Sequence, residues 1–384
     1  MAHTSRTEKW LACAVLCAAS LFAANDGSSK TWNVRKDGTG DFSVIQHAVD
    51  VAADGDTILI GAGTYREQSD IRVGVTLVRL VAVGVWQEDI TIKGVDRDSV
   101  IIEQEEYNND GFGISMCYPT ARNLRVEGLT VSNFREGITV VDWCTVEDVR
   151  ATKCAYGVSV DEGSLMLSNS VLDSASKMGV KANSQSEYVE IRDCTFLDNE
   201  RFAFQLYNTS MGVIEDVEVV GGIVGPSIVQ GASAVMRRCE IRGQMSYGLD
   251  LGNRVHFEMY DNVIEGAFAN IFFRSNRSLI GSRNVLRGSS RAPIFWIRPM
   301  ETLDFRNNEI LLGDSLFVET EGIQTGLIDL SGNWWGTVDP DFVRSWIVDA
   351  HSDSLLGHEI MFEPMLKQRV PLEKRSIGSV KARH

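Results

Sequence analysis

The sequence predicts an all-β solenoid, a right-handed parallel β-helix of about eleven coils closed by an N-terminal capping helix, and three observations predict it. From Asn123 onward one short pattern recurs: an alternating apolar strand, a small or polar anchor, a second strand, a loop and a third strand. The anchors Gly128, Asp148, Asn169, Asp193, Asp216, Arg238, Asp261, Arg283, Asn307 and Ser331 follow one another at spacings of 20 to 24 residues. Apolar residues alternate inside the strands, as in Val189 and Ile191, Val217 and Val219, or Leu249 and Leu251. Alternation at every second residue is the period of a strand, not of a helix. Three short strands per coil, each paired with its equivalent one coil away, stack with a rise of about 4.8 Å.

Taken from the start of the chain, His3, Arg6 and Lys9 precede an apolar run from Trp10 to Ala24, which reads as a signal peptide over residues 1–24. The run is about 15 residues, short of the roughly 20 that span a bilayer, and no later stretch reaches that spanning length. The expectation is a secreted, periplasmic or cell-surface protein with no membrane span after cleavage. One β-helix domain covers residues 31–370, with regular coils over about 123–337, a C-terminal cap over 338–370 and a tail over 371–384. At its start Ser43 and Gln46 form a capping-box pattern, and Ile45, Ala48, Val49 and Ala52 share one helical face before Gly55, so a helix over 43–54 plugs the first coil. The runs 57–60, 90–92 and 100–102 read as strands of the first, less regular coils. At the far end Gly332-Asn333-Trp334-Trp335-Gly336-Thr337 closes the repeat, followed by a helical stretch around 342–348 and an apolar run over 360–366. The paired tryptophans pack over the last coil in this reading; stacking on a sugar is their alternative role.

Asp and Asn dominate the anchors because the bend between two strands needs left-handed backbone, which these residues adopt cheaply. A row of acids also suits calcium, the one cofactor that the sequence leaves open, but Arg238 and Arg283 interrupt the row. Cys117, Cys144, Cys154, Cys194 and Cys239 remain after leader removal, an odd number that leaves at least one thiol free. Cys194 and Cys239 each follow an anchor by one residue and stand two coils apart, about 9.6 Å, too far for a disulfide. A net charge of −15 and a pI near 4.9 argue against nucleic acid as a partner. His47, His256, His351, His358 and His384 show no zinc or copper spacing.

The opening stretch Val34-Arg35-Lys36-Asp37-Gly38-Thr39-Gly40-Asp41-Phe42-Ser43-Val44-Ile45-Gln46, with Gly55-Asp56-Thr57-Ile58 and Gly63-Thr64-Tyr65-Arg66-Glu67, resembles that of pectinesterases and other pectin-lyase-like β-helix proteins. The closing Gly-Asn-Trp-Trp-Gly-Thr string is similar to the end of secreted bacterial β-helix proteins of the copper-site-maturation type. The resemblance covers almost the whole mature chain and implies the fold; it implies little about activity, because these motifs build the caps and the first turn. Pectinesterases carry an acid and a nucleophile aspartate, one within an Asp-Phe-Ile-Phe-Gly type string. The nearest string here, Asn270-Ile271-Phe272-Phe273-Arg274, lacks that aspartate, so esterase activity is not expected. Nor does any spacing reproduce the calcium-binding acids and basic residue of polysaccharide lyases of this fold.

On the third strand of successive coils, Thr139, Ser159, Lys181, Gln205, Asp250, Phe272 and Phe295 form an expected outward column. Asp161, Asn183, Tyr207, Arg274 and Ile297 follow two residues on, while the coil at 227–230 fits less cleanly. Charged groups for hydroxyls and rings for stacking are what a sugar groove needs, which makes Lys181, Gln205, Tyr207, Asp250 and Arg274 the candidate ligand-binding residues. Asp161 and Asp250 are four coils apart, about 19 Å, and cannot be a glycosidase carboxylate pair. Two functions follow: a secreted protein that binds or processes an extracellular polysaccharide, as lyase, hydrolase, esterase or binder with no complete catalytic set, or a non-catalytic cell-surface or envelope structural protein serving adhesion or assembly.

Overall fold

The computed structural model describes residues 29–372 apart from 74–76, 107–109, 118–119, 210, 275, 289–293, 298–299, 314–315 and 321–325; the leader over 1–24 and most of the tail lie outside the described residues. Three parallel ladders run along the molecule, one per strand of the repeat. The first face starts at Thr31–Val34, passes through Thr57–Ile60 and Thr91–Gly94, and ends at Met300–Phe305. The second runs from Gly63–Tyr65 to Glu309–Leu311. The third runs from Leu77–Val85 to Ile347–Val348. One antiparallel pair, Ser69–Val73 with Leu77–Val85, decorates the N-terminal end. Among the described residues no helix is long and apolar enough to cross a membrane.

The anchors turn the chain as their residue types predict. Asp148, Asn169, Asp193, Asp216, Arg238, Asp261, Arg283 and Asn307 all have φ between 50 and 58°. In the last coil Gly332, at φ 70°, takes this position in place of Ser331, one residue from the expected anchor. A second left-handed column, treated as plain loop in the sequence, joins the second and third faces: Asn133, Lys153, Ser174 and Asp198, then Gly221, Gly243, Gly266 and Gly288. Asp216 and Asp261 are ion-paired to Arg238 and Arg283, so the arginines that interrupt the acid row neutralise it.

The interior is apolar, and the residue after each anchor points into it. Cys194, Val217 and Cys239 fill that column, and the five described cysteines are buried and form no disulfide with one another. From Asn262 onward the column becomes an asparagine ladder: Asn262, Asn284, Asn308 and Asn333 are fully buried. Each of the first three donates from Nδ2 to the next one's Oδ1, at 2.9, 2.9 and 3.1 Å. The same Oδ1 atoms accept the preceding residue's backbone N–H, which satisfies every member without water.

Both ends are closed. The capping helix spans Ile45–Val51, shorter than the expected 43–54, and Ser43 does not cap it: Val44 is the N-cap residue and makes no side-chain cap bond. Glu67 supplies the cap from the next turn of chain, accepting the N–H groups of Ile45 at 2.7 Å and Gln46 at 3.0 Å. Gln46 instead bonds both ways to the Gly84 backbone, tying helix to third face. At the C-terminus Trp335 is 1% exposed and packs edge-on against Phe317 and Phe362. It closes the coil and is not a sugar platform. The helix there is only Pro340–Arg344, and Ile347–Val348 is a strand on the third face where a helix over 342–348 was expected.

Candidate functional site

The third face carries the column that the alternation predicts, and the register is unbroken where the sequence looked irregular. Thr139, Ser159, Lys181, Gln205, Ser227, Asp250 and Phe272 are paired one above another. Above Phe272 stands Trp296, not Phe295. Phe295 is fully buried, because a one-residue slip in register moves a side chain to the opposite face. Pointing away from the core is also not the same as being exposed: Thr139 and Ser159 are 0% exposed and Asp250 2%.

Side-chain contacts tie the column together in two runs, which the backbone pairing of Lys181 with Gln205 brings into one strip. Lys181 Nζ lies 3.7 Å from Asp161, whose Oδ1 also accepts from Asn183 at 2.7 Å. Gln205 donates to Ser227 Oγ at 3.4 Å, Ser227 donates to Asp250 at 3.0 Å, and Asp250 receives Arg274 at 3.2 Å. Arg274 lies over Phe272, which stacks on Tyr247 at 4.5 Å and meets Trp296 edge-on. Lys181, Gln205, Asp250 and Arg274 thus share one strip, and Tyr207 stands at its border, 42% exposed. Asp250 is held by Ser227 and Arg274 and organises the strip from beneath. Burial pushes its carboxyl up despite Arg274 and Ser227, which pull it down.

Glu136, absent from the sequence reading, sits at the low end of the strip. It is 4% exposed and hydrogen-bonded by Thr139 at 3.1 Å. Burial raises its carboxyl above the usual range, the Asp161 charge adds to that, and Lys181 opposes it. Nothing in its neighbourhood in sequence marks it, because its burial comes from coils on either side. Beside the strip Asp161, Glu162, Asn183, Ser184, Gln185, Gln205 and Tyr207 line a hollow of about 420 Å³. Among the described residues no group of three or more His, Cys, Asp or Glu is placed to hold a metal ion.

Comparison with known proteins agrees with this architecture. The right-handed beta helix region family matches residues 156–310. No curated protein matches the chain in sequence. Among solved structures, pectate lyase Pel9A is similar at 11% identity and TM-score 0.41 over 73% of this chain and 78% of its own. A GH87 alpha-1,3-glucanase catalytic domain gives 11% identity and TM-score 0.48 over 88% and 69%. An alginate lyase from Paenibacillus sp. str. FPU-7 gives 12% and 0.36 over 80% and 95%. The class is therefore a right-handed parallel β-helix, and the chain is similar to the pectin-lyase-like superfamily.

Proposed function

We propose that this protein is exported and binds or processes an extracellular polysaccharide laid along the third face. The observation that carries the reading is the strip from Lys181 to Arg274 with the exposed ring of Tyr207 beside an open hollow. Extended glycans need a long surface that offers hydrogen bonds at regular intervals and a ring for a sugar face, and coils rising about 4.8 Å provide such intervals. Lys181 and Arg274 are already paired to Asp161 and Asp250, so they present oriented N–H groups and little net charge. Neighbouring structures named as a pectate lyase, an alginate lyase and an alpha-1,3-glucanase agree with processing of a polysaccharide.

A glycan array probed with the wild type and with Tyr207→Ala tests this. Binding to at least one glycan class, lost in the variant with thermal unfolding unchanged, is the expected result. An array with no binding would favour the adhesion reading, and equal binding by the variant would move the site off this face.

A further inference from the structure

Next to the strip the fold departs from its own repeat. In most coils a loop separates the third face from the next first face, but Tyr156–Ser168 and Met178–Arg192 run round that corner as single strands. Their pairing slips between Val160 and Glu162 and again between Gly163 and Ser164. Bulges of this kind re-aim side chains and open a sheet locally. Gly163 makes the bend at φ 78°, where a Cβ would lie 2.4 Å from the Asp142 carbonyl oxygen.

The result is a second hollow of about 360 Å³ beyond the first, and Glu162 and Gln185 line both. Its outer wall is Trp143, 40% exposed, whose ring lies parallel to Tyr188 at 6.5 Å with 7° between the planes. A part-exposed indole that lines a hollow and lies parallel to a second ring is a stacking surface for a sugar. The acids here also differ from those nearby. Glu190, Glu215, Glu218 and Glu240 on the adjoining faces are each paired to arginine. Glu162 and Glu187, with no ion pair among the described residues, border the hollow, and no Lys or Arg lines either hollow.

We infer that this bulged corner is a binding subsite for a glycan segment bearing protonated amino groups, with the ring of one sugar on Trp143 and its ammonium between Glu162 and Glu187. The inference rests on the polysaccharide reading above and names the substrate class for it. A polyuronate is disfavoured twice: the corner is acidic, and the cations of the strip are already paired.

Titration calorimetry with hexamers of glucosamine, N-acetylglucosamine and galacturonate tests it. At low salt the glucosamine hexamer is expected to bind about tenfold more tightly than its acetylated equivalent, the gap narrowing as salt rises. Glu162→Gln with Glu187→Gln should abolish that gap, and Trp143→Ala should weaken both amino-sugar hexamers, while both variants unfold at the wild-type temperature. Preference for galacturonate, or a gap that survives the double substitution, overturns the inference. If Tyr207→Ala loses a glycan on the array while Trp143→Ala and the double variant keep it, the corner fails and the strip stands. If no glycan binds on the array or in the calorimeter, both fall together.

Discussion

Asn308 shows what a single side chain does in a coil stack. Its Nδ2 donates to the carbonyls of Gly281 and Arg306 and to Asn333, while its Oδ1 accepts two N–H groups of Asn284. Asn308→Leu fills the space but orphans buried partners on both sides, so we expect a loss of about 3 kcal/mol or more in urea unfolding. A loss below about 1 kcal/mol would mean that water replaces the ladder. Glu136 makes a different prediction. An acid whose folded pKa is raised favours folding below its unfolded pKa and loses that contribution as pH rises through the folded value. Glu136→Gln removes this titration, so its unfolding temperature should gain on the wild type between about pH 4 and neutrality. Parallel curves would show that Glu136 is not buried as described. The thiols are equally specific: burial pushes Cys154 and Cys194 up to about 12, so neither reacts with a thiol reagent until denaturant is added.

Residue type records some of this and hides the rest. Left-handed backbone selects Asp, Asn and Gly, so the first turn column was legible from spacing alone. The second column includes Lys153 and Ser174, which carry no such mark. Strip membership was legible from alternation at Lys181, Gln205, Asp250 and Arg274. It failed at Phe295, because the 24-residue spacing from Arg283 to Asn307 does not say where the extra residues lie. Exposure was not legible: Thr139, Ser159 and Asp250 face away from the core yet are covered by neighbouring coils.

Among the elements, the capping helix and the bulged corner are two departures from the repeat that can be tested by substitution. The helix takes its N-cap from Glu67, across a turn that sequence proximity does not suggest. Glu67→Ala should cost about 1 kcal/mol of stability, the usual worth of a cap, and hydrogen exchange should show the loss centred on residues 45–51. Uniform loss along the chain would contradict a local cap. At the corner, Gly163→Ala strains φ 78° and drives a methyl against Asp142, so the bulge must shift. Glycan binding at Trp143 should fall while the core coils keep their exchange protection.

On the scale of the whole molecule, each coil pairs only with its neighbours, and the described cysteines make no cross-link. Stability is then a sum of coil and interface terms, with the ends opening first. The arginine–glutamate ladders of the first face, as at Arg125 with Glu127 and Glu147, are largely surface pairs worth at most about 1 kcal/mol each. High salt should therefore shift unfolding by little while changing amino-sugar binding strongly.

The central claim is that a glycan lies on the third face, and hydrogen exchange with a saturating oligosaccharide that binds on the array tests it most directly. The account predicts slowed exchange confined to the third face and its bulged corner, over residues 159–163, 181–188, 205–209, 227–229, 249–251 and 271–274, with the second face unchanged. Protection centred on the second face or on either cap would contradict it.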